Sequence, residues 1–411
     1  MKLSILICLY NTDKTLFENT LRSIFFGTLS LKDDFEVCVY DDGSCCDYSD
    51  VISKYPVKYK KGENRGIFSA RLSAIEMAEG EYIAFVDSDD TVSFNYHRPM
   101  LMRAEKTGAD IVINDWAFHS ERTKYYCKGD STVKCDMDLL GDDILRAFMA
   151  QEGREHSFFV LWNKMFRREL LHSVAVQCAP IANNPARFNY SEDTLMSFYA
   201  FMGAKRVVNL HTGYYFYRIH QNQTVNVVSK EQLVRHIDCM AQTLTIMKDE
   251  LTAHGREELI PSLVRWSALM SRTHYSYAKS GGYRDLYPVI KEKYGVSRLR
   301  GTTLRDGAVY SSVALLGENF DEIDRTLMQI CHSEQPVEVS VDGKQDYALR
   351  SIDSLVSMGY EIKLLKDGGL IIPREKIRIK NRIIMNPFVY KLGMLLFPKG
   401  SKIRAALKKK V

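Results

Sequence analysis

Three carboxylates directly follow a short apolar segment of the sequence. Tyr82–Val86 has the composition of a buried strand, and Asp87, Asp89 and Asp90 come immediately after it. Acids this close repel each other unless a cation lies among them, and carboxylate oxygens suit Mg²⁺ or Mn²⁺. The pattern therefore indicates a divalent metal site at the end of this strand. The alternative reading is a solvated acidic turn that caps the next helix.

Two further acidic clusters have a spacing suited to chemistry. Asp41-Asp42-Gly43-Ser44 ends a second apolar run, Phe35–Tyr40, and Ser191-Glu192-Asp193 precedes the apolar helix Thr194–Met202. A carboxylate at a helix start beside other acids can act as a general base when its pKa is raised. The same three residues, Ser191 to Asp193, are also a common helix cap, so both interpretations stay open.

The segments that must position these acids alternate between strand and helix patterns. Apolar runs predict buried strands, and apolar residues at helical spacing predict helices. The predicted order is the strand Leu3–Leu9, the helix Thr15–Phe26, the strand Phe35–Tyr40, the strand Val57–Lys60, the helix Gly66–Glu79 and the strand Tyr82–Val86. This alternation predicts an α/β fold with a parallel sheet, whose ligands bind at the carboxyl ends of the strands.

The middle of the chain continues this pattern less regularly. Ile111–Asp115 is expected to extend the sheet, and Phe158–Leu171 reads as a strand or turn that leads into a short helix. The remaining predictions are a helix over Asp138–Gln151, a loop over Gln177–Tyr190, paired strands at Val207–Leu210 and Tyr214–Arg218, and a polar loop over His220–Val227.

The pattern of apolar residues in the sequence changes after Ser229. Leu233, Ile237, Met240, Leu244, Met247 and Leu251 form one stripe of a long amphipathic helix, and a second helix is expected from Glu258 to Lys279. Alternating patterns then predict a small α/β appendage, with strands at Val309–Leu316, Val337–Val341 and Tyr360–Leu365 and helices at 320–331 and 348–358. The expected divisions are 1–228 for the catalytic domain, 229–372 for a helical and small α/β region, and 373–411 for a tail.

Composition narrows the classes of protein. The 411 residues, 45% apolar and 26% charged, are typical of a soluble globular protein, and no apolar run is long enough to cross a bilayer. Nine cysteines without metal-type spacing favour reduced thiols and a cytoplasmic location. The tail from Pro373 to Val411 holds twelve Lys or Arg and one acid, whereas the rest of the chain is acidic overall.

Seven motifs in order along Met1–Val227 resemble glycosyltransferase family 2. They are Tyr10-Asn11, Asp41-Asp42-Gly43-Ser44, Asn64-Arg65-Gly66 with Ala70-Arg71, Asp87-Ser88-Asp89-Asp90, Trp162-Asn163-Lys164, Glu192-Asp193, and Tyr217-Arg218 with His220. The resemblance implies the GT-A architecture, a Rossmann-like nucleotide-sugar-binding domain, here followed by the C-terminal helical and small α/β appendage. It also implies an inverting transferase that depends on Mn²⁺ or Mg²⁺.

The resemblance further implies a role for each matched residue. Tyr10, Asp42, Asn64, Arg71, Asp87 and Arg218 would bind the donor, Asp89 and His220 the metal, and Trp162 the acceptor. Asp193 would be the base, with Glu192 orienting it or the acceptor. From the residues alone, Tyr10 could instead be a core aromatic, Arg71 could lie on a solvated helix face, and His220 could be a solvated loop residue.

The predicted function is transfer of a hexosyl or N-acetylhexosaminyl group from a nucleotide-sugar, UDP-linked in our reading, to a saccharide or lipid-linked acceptor during surface polysaccharide biosynthesis. One rival is a sugar-nucleotide nucleotidyltransferase, which would need a Gly-rich basic loop where Tyr10-Asn11-Thr12-Asp13 stands. The other rival is a non-catalytic scaffold bound to a membrane.

The basic tail predicts a partner of a different kind. Phe388–Phe397 is strongly apolar and Lys408-Lys409-Lys410 ends the tail, a combination suited to an anionic membrane surface. The expected location is therefore cytoplasmic and peripheral, at the inner face of the cell membrane. The alternative is that the apolar stretch packs on the protein itself. Nucleic acid is not expected as a partner, and a homo-oligomer is left open.

Overall fold

The computed structural model describes residues 1–28, 31, 34–93, 96–120, 126–128, 136–153, 156–182, 188–219 and 229–299, and the strands 311–317, 337–343, 361–365 and 368–372. They fall into two compact units. The first comprises Met1–Trp116, Ser131–Tyr217 and Gln221–Thr302, and the second comprises Ala117–Asp130, Arg218–His220 and Thr303–Val411.

The described helices and strands are named in chain order. The strands are β1 (Leu3–Leu9), β2 (Phe35–Asp41), β3 (Val57–Lys61), β4 (Tyr82–Phe85), β5 (Thr91–Val92), β6 (Ile111–Ile113), β7 (Trp116–Ser120), β8 (Tyr126–Lys128), β9 (Asp138–Leu140), β10 (Lys164–Arg167), β11 (Arg206–Asn209), β12 (Tyr215–Ile219), β13 (Ser311–Gly317), β14 (Val337–Gly343), β15 (Glu361–Leu365) and β16 (Gly368–Ile372). The helices are α1 (Lys14–Thr28), α2 (Ser49–Ile52), α3 (Ile67–Met77), α4 (His97–Thr107), α5 (Asp142–Ala150), α6 (His156–Phe159), α7 (Arg168–Ala182), α8 (Glu192–Gly203), α9 (Lys230–Ala253), α10 (Ile260–Ser280) and α11 (Leu286–Tyr294).

Among the described residues of the first unit, eight strands form one sheet in the order β3-β2-β1-β4-β10-β6-β11-β9. The first four strands are parallel, and β1 lies between β2 and β4 with its residues buried, as an apolar run covered on both faces should. Because β2 and β4 run in the same direction on either side of β1, their carboxyl ends lie at the same edge. The two predicted acidic turns therefore share one edge of the sheet.

The sheet is mixed rather than parallel throughout. β10 runs antiparallel to both β4 and β6, β6 and β11 are parallel, and β9 closes the edge antiparallel to β11. The apolar residues Met165 and Phe166 are buried in this central strand. An apolar run records that a strand is buried and says nothing of its direction, so the reversal could not be predicted from the pattern. The α/β class itself is confirmed.

Three other predictions on the middle of the chain are wrong. The helix predicted from Asp138 begins only at Asp142, because Gly141 has a φ of 54° and the residues before it pair with β11 as β9. The loop predicted from Gln177 is helical up to Ala182, with Pro180 inside the last turn of α7. β11 and β12 do not pair with each other: β11 joins the large sheet and β12 pairs with β5.

Helices α9 to α11 belong to the same compact unit as the sheet. The six apolar residues of the predicted stripe on α9 are all buried, which confirms that helix and its face. On α10, the Trp266 ring packs 4.5 Å from the ring of Phe159, and a single apolar cluster includes residues of α3, α5, α8 and α9 to α11. The structure thus places the sequence from Ser229 onwards, as far as Leu299, with the sheet rather than apart from it. The helix α11 was not predicted.

The second unit contains two separate groups of described strands. β7 and β8 form an antiparallel pair, and β13-β14-β16-β15 form a sheet in which β13 and β14 are parallel and the other neighbours antiparallel. β13, β14 and β15 match predicted strands, whereas β16 was not predicted. The helices expected at 320–331 and 348–358, and the tail 373–411, lie outside the described residues. In the part of the chain that the structure describes, no helix combines the length and the apolar character needed to cross a bilayer.

Candidate active site

The acidic turn after β4 is held in place by one of its own acids. Asp90 is 1% exposed, and its Oδ2 accepts a 2.7 Å hydrogen bond from the Tyr215 hydroxyl on β12. The same hydroxyl accepts a 3.0 Å bond from the backbone N–H of Asp87, and Thr20 on α1 donates to the Asp90 carbonyl. Asp90 is therefore an anchor of the turn, and the half-buried Asp87 and Asp89 are left as its candidate chemical groups.

Arg71 joins this turn to the start of α8. It is 6% exposed on α3, which excludes the solvated helix face that the sequence left open. One guanidinium nitrogen lies 2.7 Å from Glu192 Oε1 and the other 3.6 Å from Asp87 Oδ1. The predicted donor-side acid and the predicted acceptor-side acid thus meet on one buried cation.

The two carboxylates beside Arg71 have raised pKa values. Burial raises the pKa of Glu192 to about 7, with repulsion from Asp193 and Asp87 adding to the shift and Arg71 opposing it. Burial also raises the pKa of Asp87 to about 6, again opposed by Arg71 and increased by Asp89 and Asp193. One guanidinium therefore does not balance all the negative charge that these four acids bring together.

Asp193 lies in the first turn of α8, half-buried beside this pair. Its Oδ1 accepts a 2.7 Å hydrogen bond from the backbone N–H of Thr194, so it contributes to the helix start as the capping interpretation requires. This bond uses one oxygen and leaves the charge and the other oxygen for a second role. The capping and the general-base interpretations are compatible in this geometry.

Asp42 organises the loop on the donor side of the cluster. It is 3% exposed after β2, and its two oxygens accept hydrogen bonds from the backbone N–H groups of Arg65, at 2.9 Å, and Gly66, at 2.8 Å. Gly66 has a φ of 91°, a conformation that favours glycine, and a Cβ there would collide with Asn189 Oδ1. The loop that includes Asn64 is therefore fixed by Asp42 on one side and by Asn189 on the other.

The loop after β1 is also tied to the end of β2. Asn11, with a φ of 50°, donates from its backbone N–H to Ser44 Oγ at 3.0 Å and accepts from the backbone N–H of Cys45 at 2.8 Å. Tyr10, which precedes it, is 51% exposed. This exposure excludes the core-aromatic reading of Tyr10 and leaves its ring available for stacking.

Trp162 is more buried than an acceptor platform requires. It is 6% exposed, its ring stacks on Tyr215 at 4.5 Å and on Tyr217 at 5.5 Å, and Trp116 packs edge-on against it at 5.2 Å. Tyr217 is half-buried and lies on the same stack. Asn163 and Lys164 after it are buried and hydrogen bonded to each other.

The structure brings four of the predicted residues together around Arg71: Asp87 and Glu192 pair with it, Asp193 lies beside Glu192, and Asp89 lies beside Asp87. Arg218, the fourth residue of β12, is buried and belongs to the second unit. His220 lies outside the described residues. Sequence reasoning missed Tyr215 and Asn189, which hold the acidic turn and the Gly66 loop. The Tyr214–Arg218 strand pattern was the only signal for Tyr215, and nothing distinguished Asn189 from other loop residues.

The residues of the acidic turn fit a divalent cation in one specific way. No group of three or more His, Cys, Asp or Glu side chains is arranged to hold a metal within the described ranges. Mg²⁺ in nucleotide enzymes is bound through one or two carboxylates, with waters and substrate phosphates completing the shell. Asp89, half-buried in the same turn as Asp87, matches that smaller requirement. It is the residue that would hold the cation.

Comparison with known proteins agrees with the sequence resemblance. Residues 4–174 match the family model for glycosyl transferase family 2. A Bacillus subtilis protein, EpsH, named as a glycosyltransferase, is 30% identical over 233 residues that cover 56% of this chain and 64% of EpsH. The cholesterol galactosyltransferase of Borreliella burgdorferi is 27% identical over 256 residues, covering 56% of this chain and 65% of that protein. The chain thus spans less than two thirds of the length of these relatives.

Among solved structures, residues 1–349 of S. aureus TarS in complex with UDP-GlcNAc align with a TM-score of 0.42 and 19% identity, over 72% of this chain and 92% of that one. The family model covers β1 to β4, the Gly66 loop, Arg71, the acidic turn and the buried Trp162-Asn163-Lys164 segment. Those are the elements that build the cluster around Arg71, apart from α8. The similarity to glycosyl transferase family 2 thus covers residues 4–174 of this chain.

Proposed function

We propose that the chain is an inverting, metal-dependent glycosyltransferase that moves a sugar from a nucleotide-sugar to a saccharide or lipid-linked acceptor in surface polysaccharide biosynthesis. The observation that carries the proposal is the buried bridge from Asp87 through Arg71 to Glu192. It joins the turn suited to a diphosphate and cation with the helix start suited to a base. A reaction between a phosphate-linked sugar and an acceptor hydroxyl needs both at one place.

The donor end of the site is proposed to bind a UDP-linked sugar. The exposed ring of Tyr10 offers a face for the base. Asp42, whose oxygens accept the backbone N–H groups of Arg65 and Gly66, is proposed to accept also from the N3–H of uracil. Asn64 lies on the loop fixed by Asp42, and Asp87 would accept from ribose or sugar hydroxyls. Arg218 is proposed as a further donor contact.

Asp89 would hold Mn²⁺ or Mg²⁺ with the diphosphate, and His220 is proposed as a further ligand. A bound cation would stabilise the negative charge that develops on the departing nucleoside diphosphate. Arg71, buried beside Asp87, lowers the repulsion among the acids whether or not a cation is bound. Its second function is to fix the position of Glu192 across the site.

The acceptor end of the site supplies the base. The acceptor hydroxyl would give its proton to the free oxygen of Asp193 while its oxygen attacks the anomeric carbon and the bond to the diphosphate breaks. A single displacement of this kind inverts the anomeric configuration. Glu192, held by Arg71, would orient Asp193 or the acceptor, and Trp162 would support the acceptor through the half-buried ring of Tyr217 stacked on it. Since one relative is named as a galactosyltransferase, a hexosyl or N-acetylhexosaminyl group is the proposed cargo.

The organised acids weaken the two rival interpretations. A non-catalytic scaffold has no use for four acids packed around one buried arginine, since burying charge costs free energy. A nucleotidyltransferase would need a basic loop after β1, and the loop found there is fastened to Ser44 and Cys45 through Asn11 instead.

The test is donor binding by the full chain. UDP-, GDP- and dTDP-sugars are added with and without Mn²⁺, and thermal unfolding is followed. A UDP-sugar should raise the unfolding temperature only with the metal, and stabilisation reaches about 2.7 kcal/mol at a hundredfold excess over the dissociation constant. Asp89→Asn should lose the metal-dependent part. Asp285→Asn, which changes an exposed acid paired with Lys230, is the matched control. If EDTA leaves donor binding unchanged, the metal assignment fails.

The tail supports a proposal about location. Six cysteines in the described ranges are free thiols, which fits a reducing compartment, and the basic 373–411 segment suits the anionic inner face of the cell membrane. We expect the chain to sediment with anionic liposomes at low salt, and removal of Asn386–Val411 to release it while donor binding survives. Equal sedimentation of both forms would contradict the proposal.

A further inference from the structure

The segment that leads into α8 contains a residue in a left-handed backbone conformation. Phe188 to Ser191, here named the α8 entry loop, lies between α7 and α8 and directly precedes Glu192 and Asp193. Ser191 has a φ of 63°, a left-handed conformation that costs a non-glycine residue free energy. A backbone in that state persists only where its surroundings hold it.

The surroundings of the α8 entry loop are supplied by α9. Ser191 Oγ and Thr243 Oγ1 share a 2.8 Å hydrogen bond in a buried position. The Tyr190 ring stacks on His236, with the ring centres 4.0 Å apart and the planes within 9° of parallel. Burial raises the pKa of the Cys239 thiol, and hydrogen bonds from the backbone N–H groups of Asn189 and Tyr190 oppose that shift.

The three residues of α9 that make these contacts occupy one face of the helix. His236, Cys239 and Thr243 follow one another at spacings of three and four residues, which places their side chains in a row. Burial lowers the pKa of His236 to about 4, so its ring is neutral near pH 7 and stacks on Tyr190 without a charge. This face begins 62 residues beyond the end of the family match at residue 174.

The same entry loop also touches the donor side. Asn189 Oδ1 packs against Gly66, whose N–H is bonded to Asp42. A displacement of the loop would therefore move Glu192 and Asp193 relative to the donor loop. A misplacement of about 1 Å in a catalytic group can cost a factor of roughly 100 in rate.

We infer that α9 is a positioning element for the reaction and that Thr243, with His236 and Cys239, fixes where Glu192 and Asp193 lie; the inference rests on the proposed glycosyl transfer. Thr243 touches no substrate in this proposal and acts through Ser191. Thr243 is the most informative residue to substitute, because valine has nearly the same shape as threonine but lacks the hydroxyl.

The test compares substitutions at two threonines of α9. Thr243→Val removes the bond to Ser191, and Thr243→Ser keeps the hydroxyl. Thr245→Val is the matched control, because the Thr245 hydroxyl donates to the Ala241 carbonyl of its own helix just as the Thr243 hydroxyl donates to the Cys239 carbonyl. Two measurements are made on the full chain. One is hydrogen–deuterium exchange of the peptide spanning 188–196, and the other is UDP release from the UDP-sugar that binds, with the dissociation constant of that donor.

The expected result is faster exchange of the 188–196 peptide and a kcat about 10- to 100-fold lower in Thr243→Val, with donor affinity and unfolding temperature equal to those of Thr245→Val. Thr243→Ser should restore both readouts. Unchanged exchange in Thr243→Val overturns the inference whatever the activity. Faster exchange with the kcat of the control also overturns it, because the loop would then be held for stability alone. If the wild-type chain binds no nucleotide-sugar, the proposed function is wrong. The hydrogen–deuterium exchange result does not depend on that outcome.

Discussion

The Arg71 guanidinium donates to Glu192 over 2.7 Å although 121 residues separate the two in sequence. Both side chains are nearly inaccessible to solvent. Such a pair joins α3 to the first turn of α8 and makes the position of each helix depend on the other. Its removal should therefore be visible both in stability and in chemistry.

Replacing Arg71 with methionine should lower the free energy of unfolding by about 3 to 5 kcal/mol, because Glu192 and Asp87 would then be buried without a cation. Urea unfolding at pH 8 measures this. Arg146→Met is the control, since Arg146 and its partner Glu258 are about half exposed and 3.1 Å apart, and such a pair is worth about 1 kcal/mol or less. Similar losses in the two variants would show that the Arg71 bridge is not a buried ion pair.

Replacing Asp193 with asparagine should lower the rate of sugar transfer by about two to four powers of ten. The asparagine side-chain oxygen can still accept the bond from the Thr194 N–H, so the helix start is kept while the charge is lost. Donor affinity, measured by titration, should stay near that of the wild type. Asp142→Asn makes the same change in the first turn of α5 and serves as the control. Collapse of donor affinity in Asp193→Asn would assign Asp193 to the donor pocket.

The ionisation of Glu192 should lower the free energy of unfolding as pH rises. Its pKa is raised from 4.5 to about 7 on folding, so the folded chain keeps this proton over a range in which the unfolded chain has lost it. The contribution is fully present below pH 4.5, is lost as pH rises towards 7, and is constant above that.

Glu192→Gln removes this titration. The stability of the wild type minus that of the variant, from urea unfolding at several pH values, should decline by at most about 1.4 kcal/mol per pH unit between these limits. A difference that is flat with pH, or that rises, would contradict the raised pKa.

Replacing Gly66 with alanine should disrupt the donor loop. The backbone there, at a φ of 91° and a ψ of 163°, is essentially restricted to glycine, and the new Cβ would collide with Asn189 Oδ1. We expect a loss of about 3 kcal/mol or more, together with loss of donor binding. Gly108→Ala is the control: its φ is 67°, but nothing lies within 4 Å of the added carbon, so about 1 to 2 kcal/mol is expected. Equal losses of unfolding free energy in the two variants would mean that Asn189 can move away from the added carbon at little cost.

The sequence predicts the first half of the sheet well. β1 to β4 are short apolar runs between turn residues, and each was placed within one or two residues of its observed bounds. The acidic turns after β2 and β4 then follow from the rule that ligands meet the carboxyl ends of parallel strands. Local signals were enough for these features because each is encoded within about ten residues.

Features that depend on distant residues were not predictable in this way. The direction of β10 depends on the strands beside it, and the burial of Arg71 depends on Glu192 coming to meet it. The role of Asp90 as an anchor could not be separated from that of Asp89 in the sequence, since both are acids of one turn, and the structure distinguishes Asp90 by its burial and by the hydrogen bond from the Tyr215 hydroxyl. The sequence predicts an aromatic contact at Trp162, whereas the burial of its ring is evident only from the packing in the structure.

The order of strands in the large sheet has a consequence for how the chain can be divided. β6 takes its parallel neighbour β11 from residues 206–209, and the family match ends at residue 174. A fragment that stops there would leave β6 as an open edge, and the apolar faces of α5 and α7 would lose α8. Open edges with exposed apolar surface promote association between chains. The stretch that matches the family model is thus smaller than the stretch that can fold, and the shortest fragment that folds should extend through α11.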